Sequence, residues 1–143
     1  MAANSKIAII PAFRYRDAPA AIDFLCKAFG FERHAVHEGP RNSIAHAQLV
    51  LGRSMIMLGS ASNEGEYSQW VQPPSSAEAV TTLGLYVVVE DCDAHCARAK
   101  AAGAVILLPP RDEDYGGRDY TCRDPEGNVW TFGTYDPWAT QAG

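Results

Sequence analysis

Two stretches of the chain end alike at an offset of 73 residues, Lys27-Ala28-Phe29-Gly30-Phe31 and Lys100-Ala101-Ala102-Gly103-Ala104. In each, a run with helical spacing stops at a glycine, the residue that most readily takes the left-handed conformation closing a helix. Asp17 is placed to cap the first helix, with Pro19 in its first turn and Ile22, Leu25 and Phe29 on one side. In the second, which starts at Asp91, Cys92, Cys96, Ala99 and Gly103 share a face suited to packing on a sheet. Strand-type segments flank both helices in the same order. The chain therefore predicts two copies of one βαβββ unit, an α+β fold with a mixed sheet in each half.

The first module spans about 6–59, with strands over Lys6–Arg16, Phe31–Glu38, Ser43–Leu51 and Ser54–Gly59 separated by Gly39-Pro40 and Gly52-Arg53. Pro11 lacks a ladder donor and marks an edge or a bulge. Residues 60–81 are rich in Ser, Pro, Glu and Gly and read as a linker in which Tyr67 and Trp70 either anchor the loop or form a flap. The second module spans about 82–135, with strands over Leu83–Val89 and Ala104–Leu107, a break at Pro109-Pro110, and a final hairpin within Tyr115–Tyr135. Its turn is Asp124-Pro125-Glu126-Gly127-Asn128, where Pro fixes φ and Gly and Asn tolerate positive φ. On the second arm Trp130 and Phe132 face a core, opposite Val129, Thr131 and Gly133. A short tail, 136–143, follows.

Composition excludes several classes. An apolar fraction of 47% is that of a domain with a core. Twelve Lys and Arg against seventeen Asp and Glu give a net charge of −5, with no basic stripe to neutralise a phosphate backbone, so nucleic acid is not expected. The apolar run Ile7–Ile10 is too short for a signal-peptide core or a membrane span, which predicts a cytoplasmic protein without a membrane partner. Cys26, Cys92, Cys96 and Cys122 form no CxxC pair or secreted-type framework.

An arginine-bearing strand, a DPxG turn and an aromatic strand resemble the end of a module in the vicinal oxygen chelate superfamily, which holds glyoxalase I, bleomycin-resistance and fosfomycin-resistance proteins and extradiol dioxygenases. Further likeness lies in His46-Ala47-Gln48-Leu49 with Gly52–Leu58, in Val88–Ala94 and in Ala99–Ala104. By element order the resemblance covers about Ile7 to Tyr135 and is strongest to the glyoxalase-like, bleomycin-resistance-like branch. It implies paired modules whose sheets curl into an open cup, and a homodimer that builds or completes the cup.

Metal-dependent members place one ligand on the first and one on the last strand of each module. The matching positions here are about Ile10, Met57, Gly84 and Thr131, none of them a usual ligand. A metal-free cup without cofactor is the expectation. By strand alternation, Arg14 lies with the first position, Tyr86 with the third, His46 with Gln48, and Arg118 with Tyr120 and Cys122. We read Arg14, Gln48, Met57, Tyr86, Arg118, Tyr120 and Thr131 as candidate ligand-binding residues and His46 as the candidate acid or base. Each has a structural alternative: Arg118 can pair with Asp119 or Asp124, Arg14 can be solvent-facing, and the tyrosines can fill space. The reading is a resistance or sequestration protein that binds a small hydrophobic or planar molecule, with a lyase, isomerase or dioxygenase-like enzyme using His46 as the alternative.

Overall fold

A computed structural model describes residues 6–139; the end of the predicted tail, 140–143, lies outside them. The observed order is β1 (Ala12–Tyr15), α1 (Ala18–Phe24, continuing as a π-helical turn over Leu25–Phe29), β2 (Glu32–Glu38), β3 (Ile44–Leu51), β4 (Ser54–Ser60), β5 (Gly84–Val88), α2 (Cys92–Ala101), β6 (Val105–Asp112), β7 (Arg118–Arg123) and β8 (Val129–Gly133). Both helices start as predicted. Asp17 accepts from the Ala20 N–H and Asp91 from the Ala94 N–H, each at about one turn's reach, and Gly30 and Gly103 close the helices at φ 93° and 106°.

The strands form two open four-stranded sheets, β1-β4-β3-β2 and β5-β8-β7-β6, in which the first and last strand of each module pair in parallel. This is the repeated βαβββ unit. Two details differ from the sequence reading. The first strand is only Ala12–Tyr15, and Ile7 and Ile9 before it are exposed. Strand β6 runs through Pro109 and Pro110 rather than breaking there. It can, because β6 is an edge strand whose register against β7 skips from Leu108 to Arg111, so the missing donors cost no ladder bond.

The two modules share one core. Phe13 of β1 stacks on Trp130 of β8 with centroids 5.5 Å apart, and Phe29 at the end of α1 lies 4.6 Å from Phe132. Tyr15, Leu25, Phe29, Leu49, Tyr120, Cys122, Trp130 and Phe132 are buried in this common interior. The hairpin turn also clamps the modules together. Asp124 is 2% exposed and accepts from Tyr15 Oη at 2.7 Å, Trp130 Nε1, Asn128 Nδ2 and two backbone N–H groups. Glu126 accepts from the N–H groups of Arg16 and Asp17 at the start of α1. A five-donor shell lets a carboxylate remain buried, and two of those donors, Tyr15 Oη and Trp130 Nε1, are themselves buried and would be left unpaired if it were removed.

Candidate functional site

With the helix-bearing faces closed into a core, the helix-free faces hold what chemistry the sheets offer. On module one the pairings Ala12↔Met57, Gln48↔Met57, Arg14↔Gly59 and His37↔His46 set Ala12, Arg14, His46, Gln48, Met57 and Gly59 on this face. The Gln48 amide lies 3.1 Å from His46 Nε2, and the rings of His46 and His37 stack at 6.3 Å. An amide N–H donating to Nε2 leaves the neutral ring's proton on Nδ1. Neighbouring His37, on the exposed edge strand, had no signal in the sequence beyond its identity.

Arg14 is half-buried and reaches across Gly59, where a built Cβ would lie 2.4 Å from its Nη1. The Tyr67 ring covers the guanidinium at 4.7 Å, so the linker does fold over this face. The Arg14 side chain makes no hydrogen bond or ion pair with a described residue.

Module two carries Gly84, Tyr86 and Val88 on β5, Val129, Thr131 and Gly133 on β8, and Asp119, Thr121 and Arg123 on β7. Its polar groups are engaged. Tyr86 Oη donates to the Tyr135 carbonyl at 2.7 Å, Thr121 and Thr131 share a hydrogen bond at 2.8 Å, and Asp119, 7% exposed, accepts from Tyr115 Oη. Arg123 donates to three backbone carbonyls of the linker and turn. Burial, then Asp119, raises the Tyr86 phenol above its ordinary range.

Two candidates lie elsewhere. Tyr120 and Cys122 pair with Phe132 and Trp130, so they share the core face and not the cup face, correcting the predicted lining. Tyr120 is fully buried, and its hydroxyl meets His95 Nδ1 at 2.6 Å while His95 Nε2 meets the Phe29 carbonyl at 3.1 Å. A carbonyl only accepts, so Nε2 carries the proton and Nδ1 accepts from Tyr120. Burial, most of all, holds the His95 imidazolium below its ordinary range. Arg118 likewise leaves the cup: its guanidinium holds both oxygens of Asp93 on α2 and also Asp112. These carboxylates, rather than Asp119 or Asp124, are its partners, and hydrogen bonds to Asp93 and Asp112 raise its pKa further.

Register also corrects the metal positions. The first-strand residues opposite Met57 and Thr131 are Ala12 and Tyr86, not Ile10 and Gly84. A set of Ala, Met, Tyr and Thr does not fit the divalent ion of the metal-dependent vicinal oxygen chelate proteins, which calls for His, Glu or Asp. Among the described residues no group of three or more His, Cys, Asp or Glu converges.

The doubled module and the open helix-free faces are matched by the model of the glyoxalase/bleomycin resistance protein/dioxygenase superfamily over residues 9–132. The chain belongs to this superfamily. An uncharacterized protein of Mycobacterium bovis, Mb0911c, is 31% identical over 133 residues, 93% of this chain and 86% of the relative. The crystal structure of TioX from Micromonospora sp. ML1 is similar at 31% identity and a TM-score of 0.69, covering 89% of this chain and 97% of TioX. The fold is also that of the fosfomycin resistance protein FosX from Mesorhizobium loti, at 13% identity, a TM-score of 0.65 and coverage of 98% and 100%. No helix among the described residues is long and apolar enough to cross a membrane.

Proposed function

We propose that the chain is a small-molecule binding protein of this superfamily, holding a planar, largely apolar ligand on the helix-free faces of its sheets. The observation that carries the reading is the contrast between the two sides of each sheet: the helix-bearing sides pack Phe29, Tyr120, Trp130 and Phe132 into the shared core, whereas Arg14, Gln48, Met57, Thr131 and Tyr86 lie on faces with partial access to solvent. Apolar floor and few polar groups suit a ligand site. Membership in a superfamily whose description includes bleomycin resistance proteins supports a role in handling a bioactive small molecule.

A homodimer completes the cup in this reading. Within one chain the two sheets turn their core faces to each other through Phe13 and Trp130, so each helix-free face needs a facing surface from a second copy. The free edges support this, because Ile9 is 95% and Trp138 85% exposed, and both line a cleft of about 880 Å³ with Tyr86 and Val88. Exposed apolar edges of this kind mark contact surfaces.

Native mass spectrometry together with a thermal-shift screen of neutral planar compounds tests both parts. A dimer stabilised by several such compounds is expected, by about 2.7 kcal/mol at a ligand concentration a hundredfold above Kd. A monomer that none of them stabilises overturns the reading.

A further inference from the structure

A second cavity, of about 650 Å³, lies at the end of module one's helix-free face under the linker, lined among others by Arg14, Arg16, Arg41, Ser60 and Tyr67. Resting on the cup reading, we propose that this cavity is the anion-binding end of the cup, where Arg14 takes the carboxylate of a small aromatic acid whose planar body lies along the sheet. Arg14 is the observation behind it. Four arginines are ion-paired, Arg118 with Asp93 and Asp112, Arg33 with Asp23, Arg111 with Glu113, and Arg16 with Glu126 beside the Pro74 carbonyl, while Arg98 and Arg123 donate to backbone carbonyls; among the described residues Arg14 shares with Arg41 and Arg53 the lack of such a partner, and it alone of these three lies on the sheet. Arg14 instead packs its guanidinium against the Tyr67 ring, and its N–H donors have no acceptor among the described residues. Those are the donors that grip a carboxylate in a two-pronged fashion.

The charged lining is balanced, with three basic and three acidic side chains that differ in how they are held. Of these, Asp17 already caps α1 and Arg16 is paired, leaving Arg14 and Arg41 against Glu64 and Glu66. The two glutamates sit exposed on the linker, whereas the half-buried Arg14 lies between Gly59 and the Tyr67 ring. Ser60 Oγ accepts from the Ile44 N–H, so its own proton is available to an anion. The rim is also strained: Arg41 and Asn42 both take left-handed backbone, at φ 56° and 61°, a conformation that costs an arginine energy and is retained where neighbouring structure imposes it. A side chain at Gly59 would take the space that the Arg14 guanidinium occupies.

Isothermal titration with benzoate and with benzamide, its neutral partner in shape, reads the subsite directly. Wild-type protein should bind benzoate about tenfold more tightly than benzamide, with the preference weakening as salt is raised. Arg14→Gln should bring the ratio to about one while leaving benzamide affinity unchanged, and Arg14→Lys, a safeguard on folding, should retain part of it as a point charge. Tyr67→Ala should reduce the ratio by loosening the guanidinium. Equal binding of the two probes, or a ratio that survives Arg14→Gln, overturns the subsite and leaves the cup reading standing. If benzamide and other neutral planar compounds fail to bind, the cup reading falls instead. The Arg14 Nε–Hε NMR resonance then decides the subsite separately: a shift with benzoate upholds anion binding, and no shift refutes it.

Discussion

The two modules carry the same construction at the same place and use it differently. In module one the last strand has Gly59 opposite Arg14; in module two, at an offset of 74, it has Gly133 opposite Val88. Each glycine makes room for a polar group from the first strand, Arg14 Nη1 in one case and Tyr86 Oη in the other. The tyrosine hydroxyl then donates to the Tyr135 carbonyl, and buried Asp119 behind it is held by Tyr115. The arginine has only an aromatic lid. Module two has thus turned its slot into a brace, while module one keeps a charged group available. What separates a candidate site from a structural motif here is not residue type but whether the donors already have partners.

The largest expected effect tests whether the modules are a single folding unit. Asp124→Ala leaves Tyr15 and Trp130 unpaired in the shared interior and two part-buried N–H groups unpaired in the turn, and should cost about 3–5 kcal/mol in urea denaturation. A cost below about 1 kcal/mol would mean that the turn, and not the clamp between modules, is what Asp124 serves. Next, the two glycines can be set against each other. Gly133→Ala drives a Cβ to 2.6 Å from Tyr86 Oη and 2.8 Å from Asp119 Cβ, and should cost about 1–3 kcal/mol. At Gly59 the nearest atom is the mobile end of Arg14, so Gly59→Ala should cost less than Gly133→Ala yet remove the benzoate preference. Equal costs would erase the distinction between brace and site.

A smaller effect reports on His95, which joins the modules through Phe29 and Tyr120. Its folded-state pKa lies below the ordinary value of 6.5 because burial disfavours the imidazolium. The unfolded chain therefore takes up the proton first, so stability is complete above pH ~6.5 and falls as pH drops from there toward the folded pKa. The melting temperature should decline across that window in wild type and decline less in His95→Gln; parallel curves would exclude the linkage. The smallest effect is at Arg118→Gln. Its ion pairs are solvent-exposed, so denaturation midpoint and ligand binding should both stay unchanged within error, and a lost benzoate preference would return Arg118 to the site.

Local signals were legible and registers were not. The helix caps at Asp17 and Asp91 and the glycine stops at Gly30 and Gly103 depend on neighbours within one turn, and each appears in the sequence as such. Trp130 and Phe132 could be placed on the core face from alternation alone. The opposite arm could not, because its face depends on how many residues the turn takes up. With Arg123 opposite Val129, Tyr120 and Cys122 must join the tryptophan and phenylalanine, and that parity sends Tyr120 to the core. A shorter reach caused the proline error, since Pro109-Pro110 breaks a central strand and is tolerated on an edge, and edge status belongs to the sheet.

By itself, then, the sequence determined the doubled βαβββ order, the helix boundaries, the turn chemistry and the lack of usual metal ligands on the matching strands. Each of these is a matter of residue type at short spacing, where side chains and backbone meet their partners within a few residues. Only the tertiary structure decided which arginine is engaged. Asp93 lies 25 residues from Arg118 along the chain and Tyr67 lies 53 from Arg14, separations at which sequence proximity carries no information about contact. The packing of α2 onto β7 closes one guanidinium with carboxylates, and the fold of the linker over β1 leaves the other facing the cup.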